Sequence, residues 1–372
     1  MQLKVLVLAG DGIGPEVTEQ AIRVLRTVAA HGDHAFTFED GLIGGAAIDA
    51  AGTPFPPATR EAALASDAVF LGAVGHNKFN ALPPSERPEA GLLALRAALG
   101  GFANLRPAFA HPALADNSPL RPAVIEEVDI LFVRELLGGL YFGQPREWNR
   151  ATNEAWNTMR YTRAEIERVA RVAFELAGKR RKKLTSVDKA NVLEVSQLWR
   201  ATVNEVAKDY PEITVEHEFV DACSMHLMNN PRRFDVILTE NLFGDILSDE
   251  AGVITGSLGV LPSATIGGQV DLFEPVHGSA PDIAGQGIAN PVGAILTAAM
   301  LLRHSAKLEA EALAVEQAVR TVLESGARTK DLARGQQGTI LSTQEMGTRV
   351  NDALIDVLRG QAESARLTGV TR

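Results

Sequence analysis

The run Glu240-Asn241-Leu242-Phe243-Gly244-Asp245-Ile246-Leu247-Ser248-Asp249-Glu250 concentrates more potential chemistry than any other stretch of this 372-residue chain. It follows an apolar segment, Phe234–Thr239, with the pattern of a buried strand. Asp245 and Asp249 are four apart, so on a helix both carboxylates leave one face, a turn from each other. Like charges at that spacing destabilise an isolated helix by about 0.2–0.5 kcal/mol. No basic residue close in sequence relieves them. Mg²⁺ or Mn²⁺ would, because these hard cations take carboxylate and water oxygens in octahedral array. Taken alone, the segment is read more simply as two solvated acids, and the decision rests on the remainder of the chain.

Three arginines stand in apolar settings: Arg96 after Leu92-Leu93-Ala94-Leu95, Arg106 after Phe102-Ala103-Asn104-Leu105, and Arg134 after Ile130-Leu131-Phe132-Val133. Any one could be a surface arginine with its stem packed on a core. Three together call for anionic partners, and a dicarboxylate suits the bidentate grip of guanidinium. Glu89, Leu92, Leu93 and Arg96 fall at i, i+3, i+4 and i+7, which on a helix sets an alkyl-binding pair beside a carboxylate clamp. Tyr141 lies between glycines in Gly138–Gly143, where packing and a functional hydroxyl are equally good readings. Lys189 ends a strand, and as a general base it must lose a proton against a reference pKa of about 10.4, which a nearby divalent cation favours. The basic run Lys179–Lys183 sits where cations favour a helix C-terminus and reads as solvated.

Two loops compete for a nucleotide. Gly10-Asp11-Gly12-Ile13-Gly14 lies between a strand and a helix, and Glu39 and Asp40 end the next strand, as in a dinucleotide fold. The spacing is G-x-G-x-G rather than G-x-G-x-x-G, and Pro15 stands where the third glycine's close packing should follow. The second loop, Glu274-Pro275-Val276-His277-Gly278-Ser279-Ala280-Pro281-Asp282-Ile283-Ala284-Gly285, offers small residues whose backbone approaches a ligand closely. Asp282 would accept a ribose diol and repel a 2′-phosphate, favouring NAD over NADP.

The elements that must position these groups alternate. Strands are expected at Val5–Ala9, Ala35–Glu39, Ala68–Leu71, Val128–Arg134, Leu184–Asp188 and Ile213–Val220. Helices are expected at Glu16–Ala30, Glu89–Leu99, from Asp221, and over most of the chain after Asn290. Thr162-Arg163-Ala164-Glu165 is a capping box opening a helix that ends at Gly178. Prolines 107, 112, 119 and 122 suggest a loop, and residues 145–165 an exposed arm. The pattern predicts an α/β protein with parallel strands. Two domains are expected: 1–103 with 256–372, and 104–255. A net charge of −10 argues against nucleic acid or anionic membrane as the main partner. The lone Cys223 excludes an internal disulfide framework and fits a reducing compartment. No segment reads as a membrane span or signal, so a soluble, cytoplasmic protein is expected.

Taken together, four segments resemble the isocitrate/isopropylmalate dehydrogenase family of metal-dependent decarboxylating dehydrogenases: Arg134–Gly143, Asp188–Leu193, Asn241–Glu250 and His277–Gly285. The resemblance covers essentially the whole chain. It implies a two-domain α/β dimer distinct from Rossmann, with the active site in the interdomain cleft. The implied activity is NAD-dependent oxidative decarboxylation of 3-isopropylmalate to 4-methyl-2-oxopentanoate, a step of leucine biosynthesis. Homoisocitrate, isocitrate and tartrate/malate are the alternative substrates. Carried over, Asp245, Asp249 and the neighbouring subunit's own copy of Asp221 hold Mg²⁺ or Mn²⁺. Arg96, Arg106 and Arg134 grip the substrate carboxylates. Lys189, also lent by the neighbour, is the base, and Tyr141 the proton donor. Glu89, Leu92, Leu93 and Val192 form the alkyl pocket. Ile13, Glu274, His277, Gly278, Ser279, Ala280, Pro281, Asp282, Ile283 and Asn290 contact the cofactor. The chain departs from the family pattern at Gly75–Asn80, in place of a Gly-Pro-Lys-Trp/Tyr-Asp run, and at Asp271, where a glycine is usual.

Overall fold

A computed structural model describes residues 1–333 and 339–368. The chain divides into two compact units, one built from Met1–Gly100 with Ser257–Arg372 and the other from Gly101–Gly256.

In the first unit the strands run in the order Ala35–Asp40, Gln2–Gly10, Ala68–Ala73, Asp271–Phe273, Ala264–Ile266. The first three pairings are parallel and the last is antiparallel. Ala68–Ala73 is buried at every position, as a parallel strand covered on both faces must be. Leu6, Leu8, Val69, Leu71, Leu95, Leu99 and Leu272 form its core. The helix Gly14–His31 opens with Pro15 in its first turn, where the missing N–H is not needed. Helix Pro88–Leu99 packs Leu95 and Leu99 inward, and Leu92 lies half-buried against the same core. The two departures from the family pattern are accommodated locally. Lys78 pairs with Asp49 at 2.5 Å, Phe79 is buried, and Asp271 accepts a hydrogen bond from the Ser305 hydroxyl at 3.1 Å.

In the second unit the order is Ala103–Phe109, Asp129–Glu135, Val236–Thr239, Lys183–Asp188, Thr214–Phe219. The first pair is antiparallel and the others are parallel. Ala103–Phe109 corrects the sequence reading, which placed a proline-rich loop from Pro107 onward. Pro107 lies opposite Leu131, whose N–H bonds instead to the Asp235 carbonyl at 2.9 Å. That pair is therefore of the non-hydrogen-bonded kind, which asks no N–H of residue 107. Strands Arg146–Asn149 and Glu154–Asn157 form an antiparallel hairpin exposing Trp148 and Trp156. The capping box is present: Thr162 and Glu165 satisfy each other's backbone N–H at the start of helix Arg163–Gly178. The helix Asn241–Thr255 runs through Gly252 and stops at Gly256 (φ +83°), the last residue of the second unit.

Candidate functional site

The positions of three candidate residues of the second unit, and of Asn241, follow from its strand order. Arg134 lies on the strand Asp129–Glu135, and Asn241 opens the helix that follows Val236–Thr239. Lys189 comes directly after Lys183–Asp188, and Asp221 lies in the first turn of the helix after Thr214–Phe219. In register, Thr239 is beside Arg134 and Val187, and Asp188 is beside Phe219. All four thus share the carboxyl edge of parallel strands, where open α/β sheets bind their ligands.

Asp245 is the centre of the first group. Its Oδ1 accepts from Arg134 Nη1 at 2.5 Å, and its Oδ2 accepts from the Tyr141 hydroxyl at 2.8 Å. Arg106 spans the two acids, with Nη1 2.9 Å from Asp249 Oδ1 and Nη2 3.5 Å from Asp245 Oδ1. The carboxylate pair that looked unrelieved in sequence therefore meets two guanidinium groups supplied by distant strands. Burial pushes the Asp249 carboxyl above the usual range, with the Asp245 charge adding to it and Arg106 opposing. Burial and then the bond to Asp245 push Tyr141 up to about 12, so its hydroxyl keeps its proton at neutral pH.

Arg134 is 1% exposed, and its charge is satisfied by design of the neighbourhood. Asn241 Oδ1 accepts from Arg134 Nε at 3.2 Å and Nη2 at 2.7 Å, while its Nδ2 donates to the carbonyls of Leu136 and Gly138. One amide thus couples the arginine to the loop that carries Tyr141. Glu240 caps the helix by accepting from Leu242 and Phe243 N–H, and Gly244 lets the helix close onto Arg134. A Cβ at Gly244 would lie 2.6 Å from Arg134 Cγ. Buried Glu135 accepts from the Tyr161 hydroxyl, which itself accepts from Asn241 N–H. The sequence reading assigned no role to Asn241, Glu135 or Tyr161. Only the polar Glu240-Asn241 pair closing an apolar strand hinted at them.

Asp221 forms no three-carboxylate cluster with Asp245 and Asp249 in this chain. It pairs with Lys189 Nζ at 2.5 Å, which holds its carboxyl below the usual range. Among the described residues no three acidic, histidine or cysteine side chains form a metal-sized cluster. The donor set of Asp245 and Asp249 still suits Mg²⁺, which commonly binds through one or two carboxylates and keeps waters or ligand oxygens for its other positions. Val192 is 61% exposed.

The first unit holds the other candidates. Arg96 does not stand free: Nε and Nη2 lie 3.1 Å and 2.7 Å from Glu274 Oε1, so this expected cofactor contact is turned to an expected substrate contact. On the same helix Glu89 is exposed while Leu92 and Leu93 are half-buried. The two nucleotide-loop candidates prove to be neighbours. Ile13 N–H donates to the Ser279 carbonyl at 2.8 Å, and Glu16 accepts from Gly285 N–H. Gly12 is required there, since a Cβ would lie 2.0 Å from the Ser279 oxygen, and Asp11 spends its carboxylate on Gly45, Ala46 and Gly75 N–H.

Beside them a cavity of about 440 Å³ is lined by Ile13, His277, Ile283, Asn290, Lys330 and Asp331 among others. His277 Nε2 is buried with no hydrogen-bond partner among the described residues, while Nδ1 lies 3.0 Å from the Gly278 carbonyl. Burial pushes its pKa down, so the ring is neutral and, with Nδ1–H on the carbonyl, Nε2 is an acceptor. That orphaned acceptor in a cavity of mixed apolar and polar lining fits a nucleoside amine or hydroxyl. Asn290 is committed to Asp331 and to Val292 N–H, and Asp282 is exposed.

The sequence profile described as isocitrate/isopropylmalate dehydrogenase matches residues 4–350. The chain belongs to that family of enzymes. A 3-isopropylmalate dehydrogenase of Heyndrickxia coagulans is 54% identical over 369 residues, 99% of this chain and 100% of that protein. That of Gloeobacter violaceus is 57% identical over 334 residues, 89% of this chain and 92% of the other. Among solved structures, an isocitrate dehydrogenase from Methylococcus capsulatus superposes with a TM-score of 0.84 at 36% identity, covering 95% of this chain and 99% of that one.

Proposed function

We propose that this chain catalyses the NAD-dependent oxidative decarboxylation of 3-isopropylmalate to 4-methyl-2-oxopentanoate and CO₂, as its relatives' names and the site residues both suggest. The observation that carries the reading is the convergence on Asp245, where one carboxylate meets Arg134, Arg106 and the Tyr141 hydroxyl.

In this reading Asp245 and Asp249, with Asp221 of a second copy, hold Mg²⁺ or Mn²⁺. A cation there supplies Lewis acidity toward the substrate's C2 oxygen. NAD⁺ in the His277 cavity supplies the two-electron acceptor. Arg134 and Arg106, with Arg96, fix the malate carboxylates by bidentate contact. Lys189 takes the C2 hydroxyl proton. When the bond from C3 to its carboxylate breaks, C3 needs a proton, and the Tyr141 hydroxyl is the donor. Leu92 and Leu93 offer the isopropyl group an apolar surface.

A second copy is supported by large apolar side chains left in water next to the reactive residues. Ile246 is 57% exposed beside Asp245, Met225 65% exposed one turn after Asp221, and Val192 61% exposed after Lys189. We place Lys189 and Asp221 in the neighbour's site on that ground. Lys189→Ala, folded, is expected to lose at least about 10²-fold in turnover, the usual worth of a positioned base. Undiminished turnover refutes the base. Mixing Lys189→Ala with Tyr141→Phe after denaturation and refolding is expected to restore activity that neither shows alone, and no restoration refutes shared sites. Turnover compared across 3-isopropylmalate, isocitrate, homoisocitrate, tartrate and malate tests the substrate. A preference for 3-isopropylmalate of about 10-fold to 200-fold is expected from the alkyl contact.

A further inference from the structure

Lys189 and Asp221 follow the ends of two different strands, and their side chains meet at 2.5 Å. The register explains half of this, because Asp188 pairs with Phe219 across the parallel strands and both reactive residues follow at once. The other half is a side-chain clamp behind them. Asp188 is 1% exposed and takes both ends of the Arg200 fork, Nε at 2.8 Å and Nη2 at 2.9 Å. The same carboxylate accepts Ala190 N–H at 2.9 Å, while Lys189 N–H donates to Ser196 Oγ at 3.0 Å. Arg200 and Ser196 are on one helix, Glu194–Ala207. The turn around Lys189 is therefore held on both sides of the lysine by groups tied to that helix.

Arg200 also reaches the Asp221 side. Its guanidinium carbon stands 5.2 Å from the centre of the Phe219 ring, and Lys189 Nζ stands 5.9 Å from the same ring. Phe219 is the cap residue immediately before the helix that carries Asp221. The nearest alternative partner of Asp188, His217, lies 4.0 Å away with burial and the Arg200 charge both pushing its pKa down. Arg200 is thus the cation that compensates Asp188, and its bidentate geometry fixes a direction that an ammonium would not.

We propose that Arg200, acting through Asp188 and Phe219, is a positioning residue that holds Lys189 in register with Asp221; this rests on the reading of Lys189 as the base. Arg200 makes its ion pair with Asp188 and not with Asp221, so its loss acts on placement. Displacement of a reacting group by about 1 Å costs on the order of 10²-fold in rate.

The experiment compares Arg200→Met, Arg200→Lys and Lys189→Ala with the parent as full-length proteins, using 3-isopropylmalate and its 2-deuterio form. Arg200→Met is expected to lose about 10²-fold in kcat while KM for the acid stays within about threefold, the signature of an interaction expressed in the transition state. The deuterium isotope effect on kcat rises as chemistry becomes limiting, and Arg200→Lys recovers part of the loss. If Arg200→Met does not fold, the neutral pair Asp188→Asn with Arg200→Gln leaves no unpaired buried charge but lacks the two-point guanidinium–carboxylate contact, and the same kcat loss and isotope effect are expected. Parental kcat in a folded variant overturns the assignment, as does an unchanged isotope effect or an equal loss in Arg200→Lys. Lys189→Ala separates the two levels. If it retains turnover, the base reading falls; if it is inactive while Arg200→Met is unimpaired, only the positioning role falls.

Discussion

Gly244 offers the sharpest test of how the helix Asn241–Thr255 serves Arg134. Alanine at a helix-interior glycine ordinarily stabilises by about 0.8–1.0 kcal/mol. At Gly244 the new Cβ would lie 2.6 Å from Arg134 Cγ, 2.9 Å from Arg134 Cβ and 2.9 Å from Thr239 Cγ2. Comfortable carbon contacts are about 3.5–4.0 Å. All three atoms belong to buried residues on packed strands, so relief requires the helix or the arginine stem to move. Overpacking of this kind costs about 1–3 kcal/mol, which meets or exceeds the helical gain. Gly360, in helix Thr343–Thr368, is the matched control, since its Cβ would meet nothing within 4 Å. We expect Gly360→Ala to raise the urea midpoint and leave turnover unchanged. Gly244→Ala is expected to lower the midpoint or hold it, and to reduce kcat/KM for 3-isopropylmalate by about 10²-fold as Arg134 shifts from Asp245. A Gly244→Ala enzyme that gains stability like Gly360→Ala and keeps its activity refutes the argument that close helix approach sets the arginine.

Asn241→Ala removes an acceptor of two Arg134 N–H groups and the donor to two buried carbonyls, and should cost about 3 kcal/mol in chemical denaturation. A loss below about 1 kcal/mol would mean that water replaces the amide at no expense. His277 is held neutral by burial, so its folded pKa lies below the unfolded value of about 6.5. Above that pH it costs nothing. As pH falls below it the unfolded chain takes up a proton that the fold refuses, and stability drops by up to about 1.4 kcal/mol per pH unit. His277→Gln should flatten the stability curve between roughly pH 6.5 and pH 5. Equal slopes in the two proteins would show that this ring titrates freely.

What the sequence made legible is what depends on neighbours along the chain. The helix at Gly14–His31 follows from Pro15, the helix at Arg163–Gly178 from the Thr162/Glu165 box, and Ala68–Ala73 from an unbroken run of small and apolar residues. Asp245 and Asp249 are one helical turn apart because they are four residues apart. Their electrostatic setting was not legible, because Arg106 arrives on a strand that contains Pro107 and Arg134 on another. A proline looks like a break until the pairing phase is known, and that phase belongs to the partner strand. Asn241 illustrates the same limit: as a residue type it says only that a helix begins. That its amide joins Arg134 to the Leu136 and Gly138 carbonyls follows from placing strand Val236–Thr239 beside strand Asp129–Glu135, a fact of sheet order. The charge on a site is therefore a property of strand order. Sequence spacing can nominate the two acids, but whether they await a cation or already have one is decided by which strands lie next to them, and here Arg106 and Arg134 already answer part of their charge.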